Sequence, residues 1–146
     1  MKITRFFTDT ELCCKCCGDL PAQEDSVLAF YKALDQLRSE VRFKFSISEA
    51  YRCPARDRKV SLNIATAGKG VHTFGTAAHI MCYGAVAHKL LKPAFEIFTG
   101  IGITQVGDYE KRYIHLDTIT AEEGGIANYG RPWVWSHRES PSIYAT

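Results

Sequence analysis

The chain predicts an α+β domain. A long stretch has helical apolar spacing, several short segments alternate like strands, and glycine- or proline-bearing turns separate them. At 146 residues, 46% of them hydrophobic and 12% aromatic, residues 1–146 have the apolar content for one core and read as a single domain without repeats or low-complexity stretches. A small antiparallel sheet flanked by helices is the expected architecture.

Thr8 or Asp9 is suited to cap a short helix running to Cys14, with Gly18 and Pro21 ending it. Residues 26–41 place Val27, Phe30, Tyr31, Leu34, Leu37 and Val41 at three-four spacing, an amphipathic helix whose Asp35 and Arg38 face water or each other. Residues 42–51 alternate, with Phe43, Phe45, Ile47 and Glu49 on one face, and read as a strand ending at Arg52-Cys-Pro54. The polar, then glycine-rich stretch 55–70 reads mostly as a loop, and long loops in compact domains are usually functional. Residues 71–81 read as strand, turn and strand around Gly75, and 83–99 as a helix interrupted by Pro93. Residues 102–106 and 112–119 read as an antiparallel pair joined through Gly107-Asp108. The tail 124–137 is expected to wrap over the sheet, with Trp133 and Trp135 as packing anchors rather than ligand platforms.

A formal net charge of +2 with scattered Lys and Arg argues against nucleic acid as a partner, since a long-range basic field needs clustering. The start, Met1-Lys-Ile-Thr-Arg-Phe-Phe-Thr-Asp, lacks the apolar run of a signal peptide, and no segment has the roughly eighteen apolar residues of a membrane span. The expectation is a protein made in the cytosol without membrane insertion. Its six cysteines then read as reduced thiols. Four crowd into Cys13-Cys14-Lys-Cys16-Cys17, but adjacent thiolates cannot easily all face one ion and a second spaced pair is missing. They are read as small apolar side chains buried in a helix and turn, with a structural zinc knuckle as the weaker reading.

The chemistry-bearing segments are Gly70-Val-His-Thr-Phe-Gly-Thr-Ala-Ala-His79 and Tyr113-Ile-His-Leu-Asp117. They bring three of the five histidines, His72, His79 and His115, into two compact stretches. Three imidazole nitrogens are what an open catalytic zinc site uses, leaving a fourth position for water. The same histidines read equally well as surface or satisfied core residues, because this spacing is no zinc signature by itself.

Several motifs occur in order: Phe6-Phe-Thr-x-x-Glu-Leu-Cys13, Ser48-Glu-Ala-Tyr-Arg-Cys-Pro54, His72-Thr-Phe-Gly-Thr-Ala-Ala-His79, Gly100-Ile-Gly-Ile103, Tyr113-Ile-His-Leu-Asp117 and Arg131-Pro-x-Val-Trp135. Together they resemble the zinc D-Ala-D-Ala peptidases of the hedgehog-like fold, above all the short bacteriophage branch, over nearly the whole chain. The resemblance implies a Zn2+-dependent peptidase acting on a stem peptide or cross-link of bacterial peptidoglycan, as a phage lysin or within a virion. It implies zinc ligation by His72 and His115, with His79 where the family has Asp. An imidazole for a carboxylate leaves the ion more positive by one charge.

Some branches carry an acidic general base three residues before the last zinc histidine. Here that position is Arg112, and a guanidinium accepts no proton. Glu110 and Asp117 remain within reach; Glu110 is the expected base, although it reads equally as a solvated charge. Asp117, on the same strand face as His115, is suited to hold an imidazole in its tautomer. The resemblance assigns Arg52 to the substrate or to the scissile carbonyl; an ion pair with Glu49 or Asp57 is the alternative. A lapsed, structural protein on the same fold is the second functional reading, because His79 and Arg112 fall where the chemistry is most demanding. A redox or nucleic-acid zinc protein built on the cysteines is the third.

Overall fold

The computed structural model describes residues 1–60, 68–126 and 130–136. The described chain is a small α+β domain. In order it forms α1 (Asp9–Leu12), α2 (Asp25–Val41), β1 (Ser46–Glu49), α3 (Pro54–Val60), a 3-10 turn (Val71–Phe74), β2 (Ala77–Met81), α4 (Gly84–Ile97), β3 (Gly100–Thr104), a second 3-10 turn (Tyr109–Lys111), β4 (Tyr113–Asp117), α5 (Ala121–Ile126) and β5 (Trp133–Ser136). The strands make one sheet in the order β1-β2-β4-β3-β5. All neighbours are antiparallel except β3 and β5, which run parallel.

Period-two alternation gives this sheet two chemically different faces. Ala78 and Ile80 of β2, Ile114 and Leu116 of β4 and Ile101 of β3 are all buried, and they join Phe30, Leu34 and Leu37 of α2 and Ala87, Leu90 and Ala94 of α4 in one core. Each large apolar side chain so buried contributes about 1.5–3 kcal/mol, so this layer dominates the energetics. The other face carries the polar residues that alternate with these.

The 26–41 helix forms as its spacing predicts, with Val27, Phe30, Tyr31, Leu34 and Leu37 buried. Asp35 is not spent on solvent or Arg38, however. Its carboxylate accepts from the Thr4 hydroxyl at 2.7 Å and from the amides of Arg5 and Phe6 at 3.0 and 3.3 Å, pinning the N-terminal segment to α2. Arg38 lies over the Phe6 ring instead.

Four expectations need correction. The 42–51 strand shortens to Ser46–Glu49, with a bulge between Ile47 and Glu49. One extra residue moves Glu49 off the face of Ile47: Ile47 pairs with core-facing Ile80, whereas Glu49 pairs with His79. The 55–70 loop begins as the helix Pro54–Val60, with proline at a first-turn position where its missing N–H costs nothing; residues 61–67 of that loop lie outside the described residues. Residues 71–74 form a 3-10 turn rather than a strand, closed at Gly75 with φ +76°. Pro93 sits inside an unbroken α4.

The tail also departs from expectation. It does not wrap over the sheet but enters it as a fifth strand beside β3, while 127–129 and 137 lie outside the described residues. Trp133 is 61% exposed and is no packing anchor. Nor are the clustered cysteines uniformly buried: Cys14 is, Cys13 is half-buried, and Cys16 and Cys17 are exposed. Among the described residues no helix is long and apolar enough to cross a membrane.

Candidate metal centre

Register, rather than sequence proximity, assembles the site. Glu49, His79, His115, Gly102 and Trp135 are successive partners across all five strands, one row on the polar face. His72 reaches the same place from the 3-10 turn before β2. The available ring nitrogens of His72, His79 and His115 all lie within 4.8 Å of one another, and His72 Nε2 and His79 Nε2 are 3.0 Å apart. A tetrahedral zinc with bonds of about 2.0–2.1 Å holds its ligands about 3.3 Å apart, so these rings need only small shifts to share an ion.

The outer nitrogens fix which inner ones are free. His72 Nδ1 lies 2.7 Å from the Ala50 carbonyl oxygen, which can only accept; Nδ1 therefore carries the proton and Nε2 the lone pair. His115 Nε2 lies 2.8 Å from Asp117 Oδ2. Burial would raise the Asp117 carboxyl, but hydrogen bonds from His115 and Arg131 outweigh it and hold the group down at about 2. Asp117 is thus ionised and His115 donates from Nε2, which leaves Nδ1 as the nitrogen with a lone pair to offer. Sequence reasoning assigned Asp117 this orienting task, and its geometry matches.

Arg131 completes the arrangement, donating from Nε to Asp117 Oδ1 at 2.9 Å and from Nη2 to Oδ2 at 2.7 Å, a bidentate pair buried with it. Two glycines make the space. A Cβ on Gly100 would run into the Asp117 carboxylate, and one on Gly102 would lie 2.5 Å from the Trp135 indole. That indole packs on His115 with ring centroids 5.0 Å apart, and Tyr113 stacks on His79 at 4.1 Å and 19°. Trp135, Tyr113 and Arg131 escape a reading that looks for ligand types. The only available signals were the Tyr-x-His alternation and the Arg-Pro-x-Val-Trp run.

Burial pushes His72 and His79 well below the ordinary imidazole value, and the neighbouring imidazoles and Arg52 add to the effect. Both are neutral at neutral pH, the form that binds metal. Because the unfolded chain takes up protons near the ordinary value of 6.5 and the folded one does not, the unfolded state binds more protons just below that pH, and stability rises with pH there. Without metal, the folded chain should therefore lose stability as pH falls from about 7.5 to about 5.5, by up to about 1.4 kcal/mol per unit for each histidine. Asp117 also loses stabilisation on acidification, but only between its ordinary 3.8 and about 2, outside this window. Urea midpoints measured in chelator check this; equal midpoints at both pH values would contradict it.

Glu110 is not brought to the imidazoles. It lies exposed on the second 3-10 turn and lines a groove with Met81, Tyr83, Val86, Tyr109 and Arg112. Its five-residue offset from His115 carries it beyond the end of the sheet. Arg52 does sit beside the centre: its amide donates to the His72 carbonyl at 3.1 Å, and its charge lowers both His72 and His79. Its guanidinium makes both ion pairs raised as the alternative, Nε donating to Glu49 Oε1 at 2.8 Å and Nη1 standing 3.6 Å from Asp57 Oδ1. Asp57 is buried and accepts from the amides of Gly68 and Gly70 at 2.8 and 3.0 Å, tying α3 to the turn that carries His72.

Comparison with models of protein families, with curated proteins and with solved structures finds no match.

Proposed function

We propose that the chain is a zinc-dependent peptidase of the hedgehog-like fold, hydrolysing peptide bonds in bacterial peptidoglycan. The observation that carries the metal part is the convergence of three imidazole nitrogens with two of the rings locked from behind, by Ala50 and by the Asp117–Arg131 pair. Such preset tautomers suit ligation, since structural surface histidines need none of it. The order of motifs across the chain supports the substrate class.

His72 Nε2, His79 Nε2 and His115 Nδ1 would hold the ion, three ligands that leave room for a water or substrate oxygen. Zinc there supplies Lewis acidity, polarising a peptide carbonyl and acidifying water toward a pKa of about 7. The chain's own part is orientation. Asp117 fixes His115, Ala50 fixes His72, and Tyr113 supports the flat side of His79. Arg52, held by Glu49 and Asp57, brings a fixed positive charge beside the rings, where it favours an anionic substrate terminus or a developing oxyanion.

One observation favours the lapsed alternative. Among the described residues, Asp117 and Glu49 are carboxylates of the histidine face, and both are committed to arginine: Asp117 to Arg131, Glu49 to Arg52 and Arg56. Neither is poised to take a proton from water.

Zinc content and release of soluble peptides from purified cell walls test the reading together. Wild type should carry zinc at this centre and cleave walls; His115→Ala should lose that ion and at least about a thousandfold in rate, since removing a catalytic centre forfeits several kcal/mol of barrier lowering. A zinc-loaded wild type with no wall activity supports the lapsed reading, and full zinc retained in His115→Ala overturns the centre itself.

A further inference from the structure

A second group of metal-ligand type lies where the 50–53 segment meets the end of α1. The thiols of Cys14, Cys17 and Cys53 all lie within 4.8 Å of one another. The crowded cysteines do not all turn to one point, as the sequence suggested, but the fold supplies the distant thiol that the run itself lacked. Cys14 and Cys17 form a C-x-x-C pair followed by Gly18, whose φ of +77° folds the chain back. The Gly18 amide donates to the Cys14 carbonyl and the Cys14 amide to the Asp19 carbonyl, each at 2.8 Å, closing the turn. Cys53 arrives after β1, its amide donating to Cys14 Sγ at 3.4 Å, while the Arg56 amide donates to Cys53 Sγ at 3.4 Å.

We infer that Cys14, Cys17 and Cys53 hold a second, structural zinc ion, distinct from the histidine centre. Zinc–sulfur bonds of about 2.3 Å place tetrahedral thiolates roughly 3.8 Å apart, within the spacing found. Backbone amides aimed at two of the sulfurs stabilise thiolate, the ligand form. The Asp19 side chain neighbours Cys17 but does not converge with the three thiols, so a water would complete the four-coordinate ion. The ion clamps the loop after α1 to the 50–53 segment, where the Tyr51 amide already donates to the Leu12 carbonyl at 3.4 Å. That segment carries Ala50, which orients His72, and Arg52. The clamp therefore braces the first centre, yet its existence does not depend on what the first centre does.

The experiment is metal counting on protein purified under reducing conditions, wild type beside Cys17→Ser, Cys53→Ser and His115→Ala. Wild type should hold two zinc ions per chain, and each variant one. Cobalt substitution separates the sites: the thiolate charge-transfer band in the near ultraviolet should persist in His115→Ala and vanish in Cys17→Ser. Cys17 is exposed, so Cys17→Ser keeps the core intact and serves where Cys53→Ser fails to fold. One zinc in wild type that survives Cys17→Ser, no cobalt–thiolate band, or a disulfide joining any two of the three cysteines would overturn the assignment. Failure of the histidine centre alone would show as loss of the His115-dependent ion with the band unchanged.

Discussion

Replacing Asp117 with alanine should destabilise the folded chain by about 3–5 kcal/mol and weaken zinc binding at the histidine centre by roughly 10–100-fold. The magnitude follows from what would be left behind. Asp117 has no exposed surface and meets three donors, the Ile119 amide, His115 and an Arg131 side chain only 4% exposed. Truncation strands the guanidinium charge in a dry site and frees the His115 ring to rotate or change tautomer. Asp117→Asn separates the two effects, because it keeps the volume above Gly100 and loses the charge. Urea midpoints and competition with a metal indicator dye read stability and affinity independently. A loss under about 1 kcal/mol would show that Arg131 finds water when its partner is gone, contrary to the burial found here.

The same neighbourhood shows where sequence reading succeeds and where it stops. The three candidate ligands and the contact of Asp117 with His115 were legible because His79, His115 and Asp117 sit on strands whose alternation is plain, and period two alone puts positions 115 and 117 on one face. The α2 stripe was legible for the corresponding helical reason. Glu49 was not: its alternation placed it with Ile47, and a single bulged residue, specified by pairing with β2 rather than by local pattern, turned it toward His79. The placing of Glu110 away from the imidazoles was hidden for a related reason, since closeness in sequence to His115 says nothing of the 3-10 turn that carries it past the sheet. Cys53 is thirty-nine residues from Cys14 along the chain, and only the path of β1 back to α1 makes them neighbours. Trp135 required knowing that β5 joins β3 in parallel over Gly102, a tertiary fact with a faint local signal.

His79 is the position at which the two functional readings part, and His79→Asp should retain zinc while moving the pH optimum of wall cleavage upward by about one unit, inside the range of about 7 to 9 over which zinc sites tune water. The substitution trades a neutral ring for a carboxylate, so the centre becomes less positive by one charge and the water nucleophile ionises at higher pH. It also gives up the stack on Tyr113 and the 3.0 Å approach to His72, so some affinity should be lost. Rate against pH, measured with zinc content, tests this in one series. If wild type is inert and His79→Asp cleaves walls measurably, the imidazole is what silenced a former peptidase. If both bind zinc and neither cleaves at any pH, the obstacle lies elsewhere on the same face, in carboxylates that are already bound: among the described residues, Asp117 is held by Arg131 and Glu49 by Arg52 and Arg56, so neither is free to carry the proton from water to the departing amine.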